Sequence, residues 1–137
     1  MLGEANLDIL LQSAAPTLNA GIYVYVLCAF VECMNLNMTT VIGSFREKEG
    51  LTFILEKEEA ERMNLPYTFP CSWITLTVHS SLEATGLTAT FSTALARENI
   101  SCNVVAAYYH DHIFVPVADT ERAMEVLRNL GKTPVKF

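Results

Sequence analysis

Residues 75–117 constrain the fold more than any other stretch, because their elements follow one another without a break. Ile74-Thr75-Leu76-Thr77-Val78-His79 alternates apolar and polar side chains, as a half-buried strand does, and runs into the small polar loop 80–86. Leu87, Phe91, Ala94 and Leu95 then recur at i, i+4, i+7 and i+8, the stripe of an amphipathic helix. Residues 104–109 predict a strand, His110-Asp111-His112 a turn, 113–117 another strand, and 119–130 a closing helix. The order β-α-β-β-α is a split βαβ unit, an α+β ferredoxin-like arrangement with its helices on one sheet face.

In that topology the first two strands run parallel and the third lies antiparallel between them. His79, the helix start near Gly86 and the turn 110–112 therefore share one sheet edge. Strands lie about 4.8 Å apart, so His79 and His112 are expected to be neighbours. The loop offers free amides at a helix N-terminus, which suit a carboxylate. Ser80, Ser81 and Thr85 add hydroxyls, and Gly86 allows close approach to the backbone. A plain cap by Ser81 or Thr85, worth about 1 kcal/mol, is the commoner use of such residues. Glu83 favours an amino group, and amides beside a carboxylate match a zwitterionic amino acid. His79, His110 and His112 could supply three nitrogens to zinc, but a turn disrupts that geometry and Asp111 suits turn chemistry. No metal and no cofactor is expected.

A net charge of −6, with nine dispersed basic residues, excludes nucleic acid and anionic membrane as partners. The longest apolar run, 22–31, is far short of the roughly 20 residues that span a bilayer, and reads as a strand buried on both faces. The first residues lack the basic segment of a secretory signal, so the protein reads as cytoplasmic. The four cysteines show no metal spacing, and three of them lie in or beside apolar strands, where a free thiol reads as a small hydrophobe. No nucleophile elbow, phosphate loop, dinucleotide fingerprint or zinc-protease motif is present, and Cys102 reads as inert, so no catalytic residue is assigned. The 51% hydrophobic content points to a homodimer interface.

Asn6 can cap a first helix with Leu7, Leu10, Leu11 and Ala14 on its apolar face. Residues 41–45 and 51–55 read as a hairpin, followed by a short acidic helix over 56–63. Strand 51–55 with its helix parallels strand 113–117 with its helix, an internal repeat of roughly 65 residues. Segment 32–39 is too short for a crossover helix, so the first copy is degenerate. The modules are expected at 1–66 and 71–137, folding as one unit. Asn99 suits the left-handed position after its helix with Ile100 as the apolar residue beyond, Asp119 caps the last helix, and Tyr108 and Tyr109 read as sheet residues.

Residues 74–89 (ITLTVHSSLEATGLTA), 100–116 (ISCNVVAAYYHDHIFVP) and 45–54 (FREKEGLTFI) resemble the ACT-domain superfamily. The nearest likeness is to small bacterial two-ACT proteins classed as domains of unknown function, related to the ACT modules of CASTOR-type arginine sensors. The resemblance implies two tandem ACT-like modules and a non-catalytic regulatory protein binding an amino acid or similar small metabolite, acting on a regulated enzyme or through its own dimer. An assembly scaffold without a ligand is the alternative. With His79 from the edge argument, the implied ligand-facing set is Ser80, Ser81, Leu82, Glu83, Thr85, Gly86, Leu87 and Asn103. The chain departs from the family at Thr85-Gly86, where Pro-Gly is common, and at Ala107, where Gly is frequent.

Overall fold

The computed structural model describes residues 15–77 and 86–130. The described residues condense into two compact units, residues 21–71 and residues 72–77 and 86–130 together with 15–20. The strand β5 (Thr68–Leu76) runs through the division.

In the 21–71 unit, β2 (Tyr23–Cys28) leads through a one-turn helix α1 (Phe30–Cys33) to β3 (Val41–Glu47), β4 (Gly50–Glu56) and α2 (Lys57–Arg62). The strand order is β3-β4-β2-β5, with β4 antiparallel to both β2 and β3. The third strand thus lies between the first two, the order expected of the C-terminal copy, with a single helical turn where no full crossover helix was expected. Lys48 and Glu49 form the tip of the expected hairpin. A Cβ on Gly50, at φ +150°, would stand 2.9 Å from the Cys28 carbonyl oxygen, so glycine is required there.

Strand β2 is buried on both faces only at its start, where Tyr23 and Val24 are both enclosed, and on one face beyond it. Val24, Val26 and Cys28 enter the core with Phe53, Leu55 and Ala60, whereas Leu27 is 53% exposed. The apolar run 22–31 is also not one strand: β2 ends at Cys28, and Phe30 and Val31 are exposed residues of α1. The missing crossover helix is replaced by a side-chain clasp. Glu59 Oε2 accepts from the Asn37 amide at 2.7 Å, and both carboxylate oxygens accept from Arg62, at 2.6 and 2.7 Å. These bonds hold the Glu59 carboxyl down at about 2.

In the C-terminal unit, β1 (Pro16–Leu18) pairs antiparallel with the end of β5, and α3 (Leu87–Arg97), β6 (Asn103–Ala106), β7 (Asp111–Pro116) and α4 (Thr120–Arg128) follow. The order β5-β7-β6 is the one predicted. Ile74, Leu76, Ile113 and Val115 pack with Leu87, Phe91 and Leu95 of α3 and with Ala123, Met124 and Leu127 of α4, so both helices cover one face. Asn99 takes φ +58°, with its amide on Ala96 O and that of Ile100 on Leu95 O, the paired bonds of a left-handed helix stop. Asn64 repeats this after α2, its amide on Glu61 O and that of Leu65 on Ala60 O.

Asp119 occupies the cap position of α4 but makes no capping bond; its carboxylate accepts from Arg122 at 3.0 Å instead. Cys28 and Cys71 are buried, and burial pushes the Cys71 thiol up to about 12, which suits an inert core hydrophobe. The expected first helix and the tail 133–137 lie outside the described residues.

Candidate functional site

The β6–β7 turn falls three residues earlier than expected. Ala107 N donates to His110 O at 3.0 Å, Tyr108 and Tyr109 form the exposed tip, and Asp111 and His112 already belong to β7. The two tyrosine rings meet edge to face at 4.9 Å instead of lying in the sheet. Tyrosines carry no turn signal of their own, whereas the polar triplet does, and that placed the expected turn too late.

This shift changes what Asp111 is. Strand residues alternate faces, so Asp111 shares the face of Ile113 and Val115, under the helices. It is only 7% exposed. Burial raises its carboxyl above the usual carboxylate range, opposed by the nearby His110 charge. Among the described residues no hydrogen bond or ion pair reaches the carboxylate. Starting the strand at residue 111 would have shown this alternation in the sequence.

Asp111 lies at the sheet end from which α3 begins. Helix α3 starts behind Gly86, which holds φ +88° and has no side chain with which to cap. The Gly86 carbonyl accepts from the Thr90 amide and hydroxyl at 2.9 and 2.7 Å, closing the first turn. No acceptor for the amides of Leu87, Thr88 and Ala89 lies among the described residues, as expected at a helix start. The Leu87 side chain is in the core, so only its amide can face a ligand. Asn103 pairs with Phe114 at the other end of β6, about 10 Å along the strand from Ala106. Six candidate residues, His79, Ser80, Ser81, Leu82, Glu83 and Thr85, lie outside the described residues, and with them the His79–His112 approach.

On the opposite face of the same strands, the Trp73 indole N–H donates to His112 Nδ1 at 2.9 Å, and Thr75 Oγ1 lies 3.1 Å from the same nitrogen. Asn19 Nδ2 donates to Thr75 Oγ1 at 3.0 Å and to Trp73 O at 3.2 Å. Desolvation, then the His110 charge, lowers the His112 pKa. Among the described residues no group of three or more His, Cys, Asp or Glu could hold a metal.

ACT-domain profiles match residues 2–72 and 68–129, one on each copy of the repeat. The chain belongs to the ACT-domain family. The crystal structure of a Vibrio cholerae protein of unknown function, described as a possible transport protein, is 46% identical and covers 90% of this chain and 94% of its own, with a TM-score of 0.79. An Agrobacterium tumefaciens protein is 17% identical, covering 86% of this chain and 89% of its own at a TM-score of 0.69. The regulatory subunit of aspartate kinase from Thermus thermophilus, in its ligand-free form, is 9% identical, covering 84% and 95% at a TM-score of 0.67. The last two show the fold alone. No curated protein matches the chain. ACT domains are in general regulatory modules that bind small molecules, and membership in the family supports a regulatory, small-molecule-binding role of that general kind. Among the described residues no helix is long and apolar enough to cross a membrane.

Proposed function

We propose that this ACT protein is a cytoplasmic, non-catalytic sensor that binds a zwitterionic amino acid, or a small metabolite of that character, at the first turn of α3. The carrying observation is a buried carboxyl, Asp111, on the helix side of the sheet at the end where α3 offers uncapped amides. The ligand carboxylate takes the amides and its ammonium takes Asp111. The loop residues Ser80, Ser81, Leu82, Glu83 and Thr85, with His79, belong to the proposal as the wall of this site, and Gly86 and Leu87 contribute backbone. Asn103 enters it only from a second copy of the chain. The kinship with CASTOR-type sensors belongs to the same reading and makes arginine an early ligand to try.

A thermal-shift screen of the amino acids and common nucleotides tests this. Ligand at about a hundred times its dissociation constant adds roughly 2.7 kcal/mol, on the order of 8–15 °C for a chain of this size. No shift above about 2 °C with any compound overturns the reading. Asp111→Asn should weaken an amino-acid hit by roughly 10- to 100-fold, the worth of a charge-assisted bond. The same variant should melt no lower than the parent without ligand. A carboxyl raised by burial opposes folding at neutral pH, so its removal relieves strain. A lower melting point would make Asp111 structural.

A second reading, assembly without a ligand, is favoured by the 21–71 unit. Phe30, Val31, Met34 and Phe45 are 70–74% exposed, and α1 buries none of its residues. Such apolar exposure is typical of an interaction surface. Sedimentation should find a homodimer at micromolar concentration; a strict monomer overturns self-assembly.

A further inference from the structure

The bonds among Asn19, Trp73, Thr75 and His112 allow only one assignment of protons. An indole nitrogen can only donate, so His112 Nδ1 must be unprotonated and the imidazole carries its hydrogen on Nε2. An amide nitrogen also only donates, so Thr75 Oγ1 accepts from Asn19 and turns its own hydrogen to His112 Nδ1. Two donor chains thus end on one lone pair. Protonating that nitrogen sets N–H against N–H, and the Trp73 indole loses this acceptor. Thr75 must then turn its hydrogen away and accept from the imidazolium as well as from Asn19; its oxygen, no longer polarised by its own donation to Nδ1, holds the Asn19 amide less strongly.

We propose that Asn19, Thr75, Trp73 and His112 form a proton-operated latch, which fastens the chain after β1 to β5 and β7 while His112 is neutral and loosens when it is protonated. Asn19 is the segment held: its amide donates to Trp73 O at 2.9 Å, and its side chain makes both remaining bonds. The groups around the imidazole favour the neutral form. β5 presents Trp73 and Thr75, which are uncharged near neutrality, and β6 places Val105 opposite His112 in register. Asp111 alternates to the other face, and His110 is the one charged group acting on the ring among the described residues. The sign follows: a histidine favoured neutral in the fold contributes stability that is present above about pH 6.5 and lost as pH falls through its lower folded value.

Trp73 is the only tryptophan in the chain, and its ring lies 5.7 Å from that of His112, so its fluorescence reports the proton directly. Across a titration of the full chain, fluorescence should change in one step with a midpoint below about 6.5. Over the same step the Asn19 amide, after correction for intrinsic chemistry, should exchange about tenfold faster, the worth of one hydrogen bond. His112→Asn keeps an acceptor oxygen near the place of Nδ1 but cannot titrate, and should abolish both changes. A step that persists in His112→Asn, a midpoint at or above 6.5, or Asn19 exchange flat across the step overturns the proposal. Thr75→Val provides an independent arm should that variant fail to fold. It should keep the fluorescence step and remove the pH dependence of Asn19 exchange; a surviving Asn19 response also overturns the latch.

Discussion

Phe91→Ala should lower the stability of this ACT protein by about 3–5 kcal/mol, the usual cost of truncating a buried aromatic. Phe91 is fully buried in the cluster that also holds Ile74, Leu76, Ile113 and Val115 of the sheet, Leu95 of its own helix and Leu127 of α4. Leu87, Phe91 and Leu95 are four residues apart, so α3 buries a single narrow stripe with Phe91 at its centre. The remainder of α3 is mostly small or polar, so its own helix has no large apolar side chain to replace Phe91 beyond Leu87 and Leu95. Urea denaturation should show a lower midpoint with an unchanged slope, since the same surface is exposed on unfolding. Set against a total of about 5–15 kcal/mol for a typical domain, that loss is a large fraction of the whole. A cost below about 1 kcal/mol would mean that Phe91 does not occupy this core.

The C-terminal module was readable because its local signals agree. The stripe from Leu87 to Leu95, the Asn99-Ile100 stop and the alternation of Ile113 and Val115 each name the same element that packing uses. The failures share one cause. Residue type indicates a local conformation, while the partner that decides its use lies far along the chain. His110-Asp111-His112 carried turn chemistry, yet register with β6 drew Asp111 and His112 into a strand and left two tyrosines at the tip. Strand β1 was not foreseen, since Pro-Thr-Leu carries little strand signal and forms only through pairing with β5. Asp119 looked like a cap, but Arg122 one turn on offers a charged partner. As for the site, its backbone donors were legible in Gly86 and the helix that follows. The buried carboxyl and the Asn19–His112 bonds needed sheet register, which a single sequence does not print.

Glu59→Gln should cost about 2 kcal/mol at neutral pH, and that cost should vanish in acid. Glu59 is a buried carboxylate whose bonds to Arg62 and the Asn37 amide tie the segment replacing the crossover helix to α2. The Arg62 guanidinium and the Asn37 amide hold its carboxyl at about 2, well below 4.5. A carboxyl depressed in the fold contributes stability that is present above its unfolded value and lost as pH falls through the folded one. The window therefore runs from about pH 4.5 down to about 2. A depression of that size corresponds to about 3 kcal/mol; Arg62 is more than half exposed, and solvent screening brings this to about 2. Glutamine keeps the shape and one acceptor oxygen but not the charge. Other carboxylates titrate over the same range, so the informative quantity is the difference between parent and variant. Urea melts at pH 7 and near pH 2 should show that difference shrinking from about 2 kcal/mol towards zero. A difference that stays constant would place the effect of Glu59 in packing, and the clasp would then owe nothing to its charge.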